Sequence, residues 1–194
     1  MPRMVKPGDV VEVPLNRGFG YVQMVLQHKG PPYYGQCIRV FSGCHEKRPA
    51  NLVALVRSEE QFVAFLPLNI LVSRGLMSVI GSEPIPKGKA KLPLFKCQGA
   101  MSTETWHTEV WWIWDGKRRE TKVGATLTPE QQSYPTRGII NLPLLIERIE
   151  TGYKSIDDWL ESEVRRTTPG QIVFENDMPK WVPLDGTSSV EHRR

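Results

Sequence analysis

What this 194-residue chain lacks narrows its chemistry first. No apolar run approaches the 18 or so residues a membrane-spanning helix needs, so no membrane span is expected. The opening MPRMVKPGD carries no apolar core of a secretory leader, and a cytoplasmic location is the expectation. Cysteine is scarce and odd in number: Cys37, Cys44 and Cys97 fit reduced, partly buried thiols better than a disulfide frame. No Gly-x-Ser-x-Gly nucleophile turn and no Gly-x-x-x-x-Gly-Lys-Ser/Thr phosphate loop occurs. Gly18-Phe19-Gly20 leads into extended sequence rather than a helix, and reads as a turn. Neither sign of charge dominates, with 25 Lys and Arg against 21 Asp and Glu and a net charge of +4. The basic clusters Lys87-Lys89-Lys91, Lys117-Arg118-Arg119 and Arg165-Arg166 are short and scattered. A nucleic-acid binder gathers its cations, so no nucleic-acid partner is expected.

Turn formers are plentiful, with 16 Gly and 16 Pro. They punctuate β-branched and aromatic runs, which is the pattern of a meander. Lys6 to Phe41 holds three such runs: Val10 to Val13, Phe19 to Leu26 and Tyr34 to Phe41. In the second, Phe19, Tyr21, Gln23 and Val25 alternate with Gly20, Val22, Met24 and Leu26, so both faces are apolar and a central strand is predicted. Leu52 to Val56, Gln61 to Leu66, Asn69 to Ser73 and Met77 to Ile80 read as further strands, with Ser58 as a possible cap for one helical turn between the first two. Ser82 to Pro93 is too rich in Pro and Gly for a central strand and reads as a surface connection.

Asp115-Gly116 signals a hairpin between Thr108 and Val123. A two-residue turn would place Trp114 opposite Lys117, Trp112 opposite Arg119 and Glu109 opposite Lys122, turning Trp111 and Ile113 toward the core. The period then changes. Leu142, Leu145, Ile146 and Ile149 predict a helix capped by Asn141 and stopped at Gly152. Ser155 with Asp158 predicts the start of a second, with Ile156, Trp159, Leu160 and Val164 as its apolar stripe. Ile172 to Phe174 suggests a last strand, and the polar end from Gly186 is expected to fray. The fold expected is α+β: a bent, mostly antiparallel β-sheet or partial barrel with one or two C-terminal helices. Residues 1–170 read as a single α+β domain and 171–194 as a short extension.

Candidate chemistry is thin. The four histidines, His28, His45, His107 and His192, form no His-x-His or His-Glu-x-x-His pair. Cys44-His45-Glu46 is the only tight cluster, and His28 could approach Cys37 across Gly30-Pro31-Pro32. Asp157-Asp158 has sufficient reason to exist at the positive end of a helix dipole. Aromatics are the stronger signal. Six Trp is a high count, and Trp, Tyr and Arg are the residues that anchor protein interfaces. Tyr33, Tyr34, Trp112, Trp114, Arg118 and Arg119 are the candidate partner-binding residues.

The order of the pieces carries a resemblance. Pro7-Gly8-Asp9-Val10-Val11-Glu12-Val13-Pro14-Leu15, then Gly20-Tyr21-Val22-Gln23 and Ile38-Arg39-Val40-Phe41, looks like the opening of the immunity protein 26 family. Ile80-Gly81, Trp111-Trp112-Ile113-Trp114-Asp115-Gly116, Leu127-Thr128-Pro129-Glu130-Gln131 and Leu144-Leu145-Ile146-Glu147-Arg148-Ile149 are similar to it too, so the likeness spans residues 6 to 152. The resemblance implies a bacterial immunity protein that neutralises a cognate protein toxin, by steric blocking and without a cofactor. The same grouping includes a small phosphotriesterase, so the alternative it implies is a hydrolase of organophosphate triesters. That alternative calls for a divalent metal, and His28, Cys37, Cys44, His45 and Glu46 are its only plausible suppliers here, with His28, Cys44, His45 and Glu46 named as the metal set. Oligomeric state is left open by the sequence.

Overall fold

The computed structural model describes residues 4–117, 119–175 and 178–184. Within these the chain forms ten strands and five helices. In order they are β1 (Asp9–Pro14), β2 (Phe19–Gln27), β3 (Gln36–Phe41), α1 (Leu52–Arg57), β4 (Glu60–Leu66), α2 (Leu68–Ser73), β5 (Ser78–Ser82), β6 (Phe95–Gln98), β7 (Trp111–Trp114), β8 (Glu120–Gly124), α3 (Pro129–Gln132), α4 (Leu142–Glu150), α5 (Asp157–Thr167), β9 (Gly170–Glu175) and β10 (Met178–Pro183). The fold is α+β, and every strand pairing is antiparallel. No helix among the described residues is long and apolar enough to cross a membrane. The chain divides into two compact units: residues 1–93, 116–118 and 137–154 form the first, and 94–115, 119–136 and 155–194 the second.

The first unit is built on an open five-stranded sheet, in the order β4-β3-β2-β1-β5. It ends on β4 and β5 and does not close into a barrel. As the alternation in β2 predicts, that strand is central and buried on both faces. On one face, Val11, Val13, Val22, Met24, Ile38, Val40, Phe62 and Ala64 pack with Leu145 and Ile149 of α4 and Leu68 and Leu71 of α2. Helix α4 lies so close to the sheet that a Cβ on Gly20 would sit 2.9 Å from Ile149 Cδ1. Asn141 caps this helix by accepting from the Leu144 N–H at 2.9 Å, and Gly152, at φ 69°, ends it. The opposite face is mixed. Val10, Tyr21 and Phe41 pack on Leu55 and Val56 of α1. Beside them, Arg39 donates to Glu60 at 2.5 Å and to Gln23 at 3.1 Å, while Gln23 donates to the Glu83 carbonyl at 2.8 Å. A buried guanidinium is tolerated there because its Nε and Nη1 donors meet Glu60, Gln23 and the Val56 carbonyl.

Two expected strands are helices. Leu52 to Val56 is α1: the Asn51 side chain accepts from the Ala54 N–H at 3.0 Å and opens a helical turn, and Ser58 closes it at the C-terminus. Asn69 to Ser73 lies in α2, which buries Leu68 and Leu71 three residues apart. Apolar runs of five or six residues fit either period, and the flanking caps decide between them.

The second unit contains the sheet β6-β7-β8 and the hairpin β9-β10. Ile172 to Phe174 is extended, and it pairs with β10, a strand that the sequence pattern does not announce. The frayed end expected from Gly186 lies outside the described residues. Helix α5 begins at Asp157 with Ile156 at its cap and no side-chain cap bond, so the predicted Ser155–Asp158 capping box does not form. The Ser155 carbonyl instead accepts from the Lys96 ammonium. The predicted stripe is also incomplete: Leu160 is 45% exposed, and the buried position on α5 is Ser162. Ser162 Oγ accepts from the Thr108 N–H at 2.8 Å.

Candidate functional site

The β7–β8 hairpin presents the aromatic and basic residues singled out in the sequence, in a different register from the one a two-residue turn gives. Trp114 stands opposite Glu120, Ile113 opposite Thr121 and Trp112 opposite Lys122, with a bulge between Trp111 and Trp112. The connection is residues 115–119. Asp115 and Arg119 close it reciprocally: the Asp115 N–H donates to the Arg119 carbonyl and the Arg119 N–H to Asp115 Oδ1, each at 3.2 Å. An Asp side chain that bonds the backbone locally outcompetes the tighter turn, and Gly116 at φ 78° supplies the left-handed residue. The predicted pairing of Trp112 with Arg119 is therefore replaced by Trp112 with Lys122. The core residues are Trp111 and Trp114, 0% and 2% exposed, while Trp112 and Ile113 are half-buried.

Register sorts the side chains of this sheet. Phe95, Trp114, Cys97 and Trp112 share one face, and Lys96, Ile113 and Thr121 the other. On the second face Lys96 is wholly buried, and its ammonium donates to the carbonyls of Gln132 at 2.9 Å, Tyr134 at 2.7 Å and Ser155. That cation fixes the segment after α3 against the sheet. Helix α3 itself is set by a reciprocal capping box between Thr128 and Gln131.

The result is a groove of about 370 Å³. Leu94, Ile113 and Val123 give it apolar walls, and Asp115, Arg119, Thr121, Gln131 and Tyr134 give it polar ones. Tyr134 donates to Glu130 Oε1 at 2.9 Å, and partial burial together with that carboxylate pushes its phenol pKa above the ordinary value, so it is a neutral hydrogen-bonding group at physiological pH. Such a recess suits an inserted side chain of mixed character.

Of the six candidate binding residues, Trp112, Trp114 and Arg119 belong to this sheet and its connecting loop. Only Arg119 lines the groove; Trp112 lies on the other face with its indole against Gly99, and Trp114 packs at 5.4 Å on Phe95. Arg118 lies outside the described residues. Tyr33 and Tyr34 are in the first unit, on the loop between β2 and β3. Tyr33 is 73% exposed, whereas Tyr34 stacks on Phe65 with ring centroids 4.9 Å apart. The residues that shape the groove and lie outside the candidate set are Leu94, Ile113, Asp115, Thr121, Val123, Gln131 and Tyr134. The Thr-x-x-Gln spacing of Thr128 and Gln131 was the readable signal for Gln131.

The four residues named for a metal are not brought together. The backbone of His45 bonds Phe19 at the start of β2, while His28 follows the end of that strand. Eight residue steps at roughly 3.3 Å each put about 26 Å between the two ends. His28 packs among the rings of Tyr34 and Phe65, at 5.6 and 5.7 Å. His45 lies edge-on to Tyr21 at 5.2 Å, Cys44 donates to the Arg17 carbonyl, and Glu46 is exposed. Cys37 does sit near His28, on the facing strand. Burial and the Glu60 carboxylate push its thiol up to about 12, which disfavours the thiolate a metal would need. Among the described residues, no three His, Cys, Asp or Glu side chains converge as a metal site would require.

Searches against protein-family models, curated proteins and solved structures find no match to this chain.

Proposed function

We propose that this chain is a binding protein that neutralises a cognate bacterial protein toxin by covering the toxin's active site. The observation that carries the reading is the groove on the β6-β7-β8 sheet. It has apolar walls, the Asp115–Arg119 pair and a neutral Tyr134, and buried Lys96 fixes the segment after α3 against its sheet. A recess of this kind accepts an anchor side chain, and interface energy concentrates at such anchors. The sequence pattern of residues 6 to 152, which resembles the immunity protein 26 family, motivates the same reading, while no family model matches the chain. The phosphotriesterase alternative has no comparable support, since β2 separates His28 from His45.

The test begins with growth rescue. The chain is co-expressed with candidate toxins that arrest a bacterial host, and the toxin it rescues is titrated calorimetrically. Thr121→Arg, which fills the groove from an exposed position, is expected to weaken binding about 30-fold or more while circular dichroism stays native, a loss of about 2 kcal/mol. Undiminished affinity in that folded variant would remove the groove from the interface. Metal-dependent turnover of a chromogenic phosphotriester by the purified chain would overturn the binding reading as a whole.

A further inference from the structure

We propose that β9 is a self-association edge, through which the chain pairs with a second copy of itself in an antiparallel β9–β9 contact centred on Ile172. The argument starts from which backbone groups the hairpin uses. Strands β9 and β10 form a two-stranded sheet, with Glu175 opposite Met178 and Gly170 opposite Pro183. The Leu184 N–H donates to the Pro169 carbonyl at 2.9 Å and continues the ladder by one pair. That bond fixes the phase. Met178, Lys180 and Val182 bond inward to Glu175, Val173 and Gln171, and the alternate residues direct their backbone groups outward.

The two outer edges differ. On β10 the outward residues are Pro179, Trp181 and Pro183, so a single N–H remains. Proline in this position blunts an edge against pairing. On β9 the outward residues are Gly170, Ile172 and Phe174, with three N–H and three carbonyl groups. Among the described residues none of these six groups has a hydrogen-bond partner outside the hairpin. One edge is therefore protected and the other open.

The open edge is self-complementary. In an isologous pairing about Ile172, Gly170 stands opposite Phe174 of the second copy, and each of the three N–H groups meets a carbonyl. Gln171 then faces Val173 and Glu175 faces Pro169, so no like charges oppose each other. Phe174 is 75% exposed, too apolar for the solvated side of an ordinary hairpin. In the pair its ring would lie over Gly170 of the second copy, which Trp181 of that copy already flanks, giving an aromatic contact across the junction. This inference is independent of the toxin-binding reading and uses none of the groove residues.

Sedimentation of the full chain over a concentration series tests it. The expected result is a reversible monomer–dimer equilibrium whose dissociation constant rises at least tenfold in Phe174→Pro, because that change deletes an outward N–H and leaves the β9–β10 ladder intact. A second measurement fixes the register. In a Cys44→Ser background, Ile172→Cys is expected to oxidise to a covalent dimer, and Gln171→Cys to do so at least tenfold more slowly. Should Phe174→Pro disturb the hairpin, the cysteine pair decides alone. A wild-type chain that stays monomeric at its highest soluble concentration overturns the proposal. So does a dimer indifferent to a folded Phe174→Pro, or equal cross-linking at positions 171 and 172.

Discussion

All six tryptophans, at 106, 111, 112, 114, 159 and 181, fall in the second unit and none in the first. The division reflects two ways of holding a small unit together. In the first unit, a five-stranded sheet buries β-branched and aliphatic side chains against α4 and α2, and its polar groups form a compact network around Arg39 on the other face. The second unit has shorter strands and less aliphatic burial. It compensates with large rings, Trp111, Trp114 and Phe95, and with polar side chains aimed at specific backbone groups, Lys96 at three carbonyls and Ser162 at the Thr108 N–H. Area-driven packing is tolerant of detail, while point-to-point anchoring is not, because each lost anchor strands a buried partner.

The largest expected effect follows from that contrast. Lys96→Met keeps the length and apolar stem of the side chain but orphans the carbonyls of Gln132, Tyr134 and Ser155. Each unmet buried acceptor costs about 1–3 kcal/mol, so a loss of about 4 kcal/mol is expected in urea unfolding followed by tryptophan emission. That signal reports on the second unit by construction, and a loss below about 1 kcal/mol would mean the anchor is not a stability determinant. Next is Leu145→Ala in α4, a fully buried aliphatic contact of the first unit. A cavity there is expected to cost about 3 kcal/mol, read by far-ultraviolet circular dichroism. The comparison breaks if Leu145→Ala proves costlier than Lys96→Met, since the first unit would then be the less tolerant one.

The same contrast decides what was legible in the sequence. The central position of β2 could be read from its alternation, and the Asn141-capped helix α4 from its period, because both are set by local pattern and confirmed by packing. Helices α1 and α2 could not, since six apolar residues carry no decisive period. The hairpin register could not, because it hangs on a side-chain bond from Asp115 to the backbone of Arg119. The groove was invisible for a deeper reason. Its walls come from β7, β8 and the segment around α3, and they are assembled by Lys96, which sits in an unremarkable Leu94-Phe95-Lys96-Cys97 stretch. A lysine in sequence reads as surface charge, and nothing local says that this one will be met by three distant carbonyls.

The smallest effect sharpens the comparison from the other side, because the first unit has a buried polar cluster of its own. Tyr21 is fully buried and donates to Glu12 Oε2 at 3.3 Å; Glu12 also accepts from Arg48 at 2.8 and 2.9 Å, and the ring of His45 lies against Tyr21. Burial, followed by the Glu12 carboxylate, pushes the phenol up to about 12 from its ordinary value of 10.0. A folded-state pKa above the unfolded one means that the folded chain holds this proton more tightly. The contribution is thus complete below pH 10 and lost as pH rises from 10 toward 12. Its size is on the order of 1–2 kcal/mol, because exposed Arg48 and solvent screen the carboxylate. The buried Cys37 thiol, also held near 12, titrates in the wild type and in Tyr21→Phe alike, so the difference between their alkaline unfolding curves isolates Tyr21. Wild type is expected to lose its advantage over Tyr21→Phe between pH 10 and 12. A difference that stays constant across that window would show that the hydroxyl contributes only an ordinary hydrogen bond, leaving the Arg39 network as the first unit's one costly polar cluster.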